Sequence, residues 1–252
     1  MPNRRQDRVA IVTGSGQGIG AACARALAAR GFKVSLMSPS QSSIKLAAEL
    51  GGIGRRGSVV DSADIDALAG ATLEAYGRID AVVTNMGHGS TAFPAMATLG
   101  YDAEFAASPL DLGDDVWRES FDMYVMSVIA MARRVTPVMV SQGGGAFVNV
   151  SSPNALEPRQ PYPMSVLRGA LHGFTKLFAD RYGRDNVRMN NLLPGFCENV
   201  KFTERALKDI PMARPARFDE IASACVFLAS DASSYMTGQN LLVDGGANRA
   251  VH

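Results

Sequence analysis

The chain predicts an α/β fold: a single doubly wound, parallel β-sheet of about seven strands flanked by helices on both faces. Two observations lead there. Short apolar runs alternate with segments of helical periodicity from end to end, and a glycine cluster sits between the first such run and the first helix. The composition agrees, since 252 residues, 47% hydrophobic and 19% charged, provide for one large core.

The first strand is read at Arg8–Thr13, where Val9, Ala10, Ile11 and Val12 form an unbroken apolar run suited to a strand covered on both faces. Gly20–Arg30 comes next as a helix, Lys33–Met37 as the second strand and Gly57–Val60 as the third. Ala63–Tyr76 reads as helix, Ala81–Thr84 as strand, Val116–Val140 as a long helix and Ala146–Val150 as strand. Ser165–Tyr182, Arg188–Leu193, Phe218–Ala229 and Leu241–Val243 continue as helix, strand, helix and strand. Within Phe218–Ala229 the apolar Ile221, Ala224, Cys225 and Leu228 recur at helical spacing. Right-handed crossovers between such strands give a parallel sheet. No repeat or low-complexity tract divides residues 1–252, so one domain is expected. Two segments interrupt its rhythm: a long loop at 88–115, carrying Phe93, Tyr101 and Phe105, and a loop at 195–212. Long loops after a strand's carboxyl end lie where ligands bind in open α/β sheets.

A formal net charge of +1 argues against nucleic acid or an anionic membrane as partner. The cysteines Cys23, Cys197 and Cys225 are widely spaced without a CxxC pair, so neither a disulfide framework nor a metal site is expected, and a cytoplasmic location is. The opening MPNRRQDR reads as a frayed arm rather than a targeting signal, and no apolar run reads as long enough to cross a bilayer.

Thr13-Gly14-Ser15-Gly16-Gln17-Gly18-Ile19-Gly20 joins the first strand to the first helix. Gly14 allows a tight turn, Gly18 lets backbone approach a diphosphate, and Gly20 permits close helix–strand packing. The helix N-terminus then offers free N–H groups and a partial positive charge to the anion. Glycines at this spacing in a strand–turn–helix context point to a dinucleotide-binding turn. At the end of the second strand stand Met37, Ser38, Pro39 and Ser40, with no carboxylate to repel a ribose 2′-phosphate and no arginine or lysine read close by. The missing acid favours NADP(H) over NAD(H), with Ser38 able to donate to the phosphate.

The glycine turn resembles the TGxxxGIG signature of the short-chain dehydrogenase/reductase family. Thr84-Asn85-Met86-Gly87 is similar to its NNAG element, Val148-Asn149-Val150-Ser151-Ser152 to its catalytic-serine strand, and Asn190 to Gly195 to the segment beside the nicotinamide. The run from Arg214 through EIASACVFLASDASSYMTGQNLLVDGG matches the family closely. The resemblance implies that Gly14, Ser15, Gln17, Gly18, Ile19 and Gly20 line the diphosphate and that Asp61 and Val60 meet the adenine. It likewise places Asn85 and Gly87 near the adenosine ribose, and Pro194 and Gly195 at the nicotinamide amide. A plainer reading leaves Asp61 as a carboxylate at a helix N-terminus, a place Asp64 fills equally well.

The same resemblance implies a tyrosine acid, a lysine one helical turn on, a carbonyl-positioning serine and a relay asparagine. Ser152 matches the serine; a strand-end hydroxyl bonded to backbone is its plainer reading. Aligning Gly173-Phe174-Thr175-Lys176 with the family's downstream run puts Met164 in the tyrosine position and Arg168 in the lysine position, and counting from Trp117 puts Tyr124 in the asparagine position. Methionine has no proton to give. Three readings are open. In the first, Tyr162 supplies the phenol with Arg168 as its cation, an arrangement similar to the family's enoyl-thioester reductases but one residue shorter. In the second, Tyr124 is the acid. In the third there is no acid, and the chain is a catalytically silent dinucleotide-binding protein with a regulatory or scaffolding role. An arginine here also resembles the halohydrin dehalogenases, which pair Tyr with Arg but lack the glycine pattern kept in this chain. Tyr162 also reads as a packing aromatic before a helix and Tyr124 as a core aromatic. His88 reads as a solvent-facing loop residue or a proton-transfer group.

The expected activity is an NAD(P)-dependent oxidoreductase on a carbonyl/hydroxyl pair, of 3-oxoacyl-reductase type or similar. Phe93, Tyr101 and Phe105, with Phe196, Phe202 and Thr203, suggest walls for a moderately apolar small molecule. Family members are commonly tetramers or dimers, so a homo-oligomer is expected, with Gly169 and Ala170 compatible with helix packing.

Overall fold

The computed structural model describes residues 8–86, 108–158, 165–199 and 207–250. Seven strands form one sheet: β1 (Val9–Thr13), β2 (Lys33–Ser38), β3 (Ile53–Arg56), β4 (Ala81–Asn85), β5 (Gly145–Val150), β6 (Val187–Pro194) and β7 (Asn240–Val243). Their order is β3-β2-β1-β4-β5-β6-β7, and each neighbouring pair is parallel. The order reverses between β1 and β4, which opens a crevice at the carboxyl ends of those strands.

The helices are α1 (Gly18–Ala29), α2 (Ser42–Glu49), α3 (Ser62–Tyr76), α4 (Asp114–Phe121), α5 (Ser127–Ser141), α6 (Ser165–Tyr182) and α7 (Phe218–Ala229). Alternate strand residues supply two cores. Ala10, Val12, Val83, Val148 and Leu192 pack with α1, α2 and α7 on one face. On the other face Ile11, Val82, Phe147 and Met189 pack with α3, α5 and α6. Both faces are therefore dry, which explains the unbroken apolar run of β1.

A row of polar side chains crosses the sheet inside the second core. Thr84 Oγ1 donates to Asn149 Oδ1 at 2.8 Å, Asn149 Nδ2 to Asn191 Oδ1 at 3.1 Å, and Asn191 Nδ2 to Asn240 Oδ1 at 2.8 Å. These residues are register partners on β4, β5, β6 and β7. Thr175 of α6 joins the row, donating to Asn191 Oδ1 at 2.9 Å and accepting from Asn149 Nδ2 at 3.2 Å. Apolar contact alone would let α6 slide along the sheet; these directional bonds set its height.

The structure differs from the sequence reading in several places. The third strand is Ile53–Arg56 rather than Gly57–Val60. As an edge strand it tolerates exposed Arg55 and Arg56, so an apolar run marks the wrong segment. Helix α2 went unread because its apolar stripe is short, with only Ser43, Leu46 and Ala47 buried. The long helix begins at Asp114, inside the expected 88–115 loop, and contains a π-helical turn over Asp122–Met126. By length and composition alone, Asp114–Ser141 is apolar enough to cross a membrane, contrary to the sequence reading, although half of its most apolar window is buried within the fold.

Replacing Asn191 by Leu leaves Asn149, Thr175 and Asn240 short of partners. The urea midpoint should drop by the equivalent of about 2–4 kcal/mol at unchanged slope, whereas Asn240→Leu at the exposed end should cost under about 1 kcal/mol.

Candidate active site

The glycine turn is built as its residues require. Gly14 and Gly18 take left-handed φ values of 58° and 57°. A Cβ on Gly14 would lie 1.9 Å from the Asn85 carbonyl oxygen, and one on Gly20 would lie 2.3 Å from the Gly14 carbonyl oxygen. Asn85 fastens the turn to β4: its Nδ2 donates to Gly14 O at 3.0 Å, and its N–H donates to Thr13 Oγ1 at 3.2 Å. Helix α1 then begins at Gly18 behind Gln17, with no side-chain cap and no acidic residue in its first turn. Its first N–H groups and partial charge therefore face the crevice, and a dinucleotide diphosphate fits there.

Not every expected contact is free for the coenzyme. Ser15 is buried, and both its N–H and its Oγ donate to Met37 O at 3.3 Å, so its hydroxyl ties the turn to β2 instead of facing a diphosphate. Asp61 caps α3, accepting from Ala63 N at 2.9 Å, while Val60 is 53% exposed. Gly87 lies outside the described residues. At the opposite wall Pro194 ends β6, and a Cβ on Gly195 would lie 2.6 Å from Asp244 Cα, which leaves room only for glycine.

Beside the end of β2, the last residue of β3 supplies a cation that the sequence reading does not find. Arg56 pairs in register with Ser38, and its Nε donates to Pro39 O at 2.9 Å. Beside it Ser38 Oγ donates to Ser40 O at 3.1 Å, and the hydroxyls of Ser40 and Ser42 lie 2.6 Å apart. The remaining guanidinium nitrogens of exposed Arg56 and these hydroxyls form a rim suited to a phosphate.

On the reaction side, α6 faces the π-helical turn. Arg168 is 5% exposed; its Nη1 donates to Val150 O at 3.3 Å, and its guanidinium carbon lies 4.5 Å from the centroid of the Tyr124 ring. Burial pushes the Arg168 pKa down, while the Tyr124 hydroxyl opposes this through charge and hydrogen bonding. Tyr124 is 5% exposed and packs with Met86, Val125, Val128 and Leu171. Ser152 Oγ accepts from Asn154 N at 3.3 Å and opens a short 3-10 turn. The sequence reading missed His172, whose Nε2 lies 2.7 Å from Ser151 Oγ. The available signal was its place one turn beyond Arg168 on the same helix face. Tyr162, Met164, His88, Phe93, Tyr101, Phe105, Phe202 and Thr203 lie outside the described residues.

Known proteins resemble this chain along nearly its whole length. A family model described as enoyl-(acyl carrier protein) reductase matches residues 14–248. The galactitol 2-dehydrogenase of Rhizobium johnstonii is 32% identical, over 94% of this chain and 93% of its own length. The D-threitol dehydrogenase of Mycolicibacterium smegmatis is 34% identical, over 96% and 94%. The solved structure of the TT0495 protein from Thermus thermophilus superposes with a TM-score of 0.81 at 29% identity, covering 95% of this chain and 98% of that one.

His172 gives the fold a pH signature. Burial, with Arg168 adding to it, lowers its pKa from 6.5 to about 4, so the unfolded chain binds the extra proton between those values. Stability should be full above pH 6.5, fall as pH drops toward about 4 and level off below. The loss should amount to about 2 kcal/mol after allowance for partial exposure. His172→Gln should flatten the change between pH 6.5 and 4.5 in urea melts, because the Arg214 fork that holds Glu220 down to about 2 contributes in full above 4.5 and is lost only below it.

Proposed function

The chain belongs to the short-chain dehydrogenase/reductase family, and from that premise we propose that it is an NADP(H)-preferring oxidoreductase interconverting a secondary alcohol and its carbonyl, with Tyr124 and Arg168 as the proton-handling pair. The observation that carries this reading is the Arg168 guanidinium placed 4.5 Å over the Tyr124 ring at the carboxyl end of β5.

Gly14, Gly18, Ile19 and Gly20 hold the diphosphate, with Gln17 beside them, and Pro194 and Gly195 hold the nicotinamide amide. When bound, the coenzyme supplies or accepts the hydride. Tyr124 Oη gives a proton to the carbonyl oxygen or takes one from the alcohol. Arg168 stays charged and faces the phenol, stabilising negative charge on that oxygen. Ser152 donates its hydroxyl proton to the substrate oxygen while still accepting from Asn154 N. Surroundings of Tyr124 rich in Met86, Val125 and Val128 exclude water from the transfer. The substrate is a small-molecule alcohol: the galactitol and D-threitol dehydrogenases support a polyol, and the aromatic residues noted in the sequence support a moderately apolar one.

Arg56, Ser38, Ser40 and Ser42 support the preference for a 2′-phosphate. Exposed Val166 and Leu177 on α6, with Phe121 and Val140 on the neighbouring helices, support a homo-oligomer joined through those helices. Three buried, free thiols at Cys23, Cys197 and Cys225 accord with a reducing cytoplasm.

Fluorescence titration should show NADPH binding more tightly than NADH, and Arg56→Ala should remove about tenfold of that margin. With alcohol substrates, Tyr124→Phe keeps the ring against Arg168 but should lower kcat by about 10²–10⁴. Undiminished turnover in Tyr124→Phe, with loss in Tyr162→Phe, would move the acid to Tyr162.

A further inference from the structure

Helix α6 grips the end of β5 at consecutive residues. Arg168 Nη1 donates to Val150 O at 3.3 Å, and one turn further His172 Nε2 meets Ser151 Oγ at 2.7 Å. Ser151 is 6% exposed, and its N–H still bonds Leu192 O on β6 at 2.8 Å, so it closes the regular part of the strand. The chain turns immediately afterwards, at Ser152, into the 3-10 turn Pro153–Ala155. The direction in which Ser152 leaves the sheet is therefore set at Ser151.

Docking of α6 does not require this bond. Thr175 joins the polar row, while Leu171 and Phe178 enter apolar cores, all on the same helix. A leucine at position 172 would serve packing alone. Burial and the neighbouring Arg168 charge keep the imidazole neutral, so the short bond to a serine hydroxyl forms between uncharged groups.

We propose that His172 is a positioning residue: through Ser151 it fixes the strand end from which Ser152 and the Val150 carbonyl that holds Arg168 are presented to the reaction site. The inference rests on the reading of Ser152, Tyr124 and Arg168 given under the proposed function. It adds a group acting at one remove from substrate, on a bond the reaction itself does not use.

The test compares wild type with His172→Leu, His172→Gln, Ser151→Ala and the double variant His172→Leu/Ser151→Ala. Turnover is measured with NADP+ and threitol, galactitol or cyclohexanol, NADPH affinity by fluorescence, and stability by urea melts. His172→Leu and Ser151→Ala should each lower kcat by about ten- to hundredfold, as small misplacement of reacting groups does. KM and NADPH affinity should change by less than about twofold. The double variant should be no worse than either single one, and His172→Gln, which keeps a hydrogen-bonding atom near the Nε2 position, should recover most of the loss. Unchanged kcat in His172→Leu overturns the inference. So do losses that multiply in the double variant, or kcat falling in step with stability in the Leu and Gln variants alike. Wild type that binds no coenzyme and oxidises none of these alcohols overturns the proposed function, and the inference falls with it; wild-type activity indifferent to both single changes overturns the inference alone.

Discussion

The position of α6 on the sheet is the constraint on which the rest of the site depends. Apolar surfaces attract without direction, so a helix lying on a flat, greasy sheet can shift along its axis at little cost. Here the Thr84–Asn149–Asn191–Asn240 row, joined by Thr175, replaces that freedom with bonds of defined length and angle. Each buried polar group costs free energy unless paired, so a displaced helix would leave the Thr175 hydroxyl without its acceptor and take one acceptor from Asn149 Nδ2. Arg168 and His172 inherit their height above the sheet from this arrangement.

A second constraint acts at the other end of the crevice. Gly14, Gly20 and Asn85 approach so closely that backbone packs on backbone, and the turn has no space to relax. The first turn of α1 is thus presented uncapped toward the ligand by a rigid mount. Both halves of the site are fixed by contacts behind it, which leaves the facing surfaces free for chemistry.

Much of this was legible in the residues. The apolar runs of β1, β4 and β5 are strong because both sheet faces are dry, and α6 and α7 were read with the bounds that the structure has. The glycine turn announces itself because only glycine tolerates the required φ values and close contacts. The features that failed to show were decided between segments distant in sequence. Arg56 reaches Pro39 only because β3 pairs with β2 four residues earlier than its apolar content suggests, and Ser15, expected to line the diphosphate, bonds Met37 O instead. His172 shows only its place one turn beyond Arg168, and its partner Ser151 lies 21 positions away, just past the end of β5.

The π-helical turn at Asp122–Met126 has a consequence beyond aiming Tyr124. One wide turn absorbs an extra residue that in an unbroken helix would rotate everything downstream by roughly 100°, so both flanking helices keep their facing. The inward-facing side chain at this point can therefore be exchanged by gaining or losing a single codon, without disturbing the sheet or the packing of α5. A scaffold with such a joint can diversify its chemistry by small insertions, where an unbroken helix would demand many coordinated substitutions.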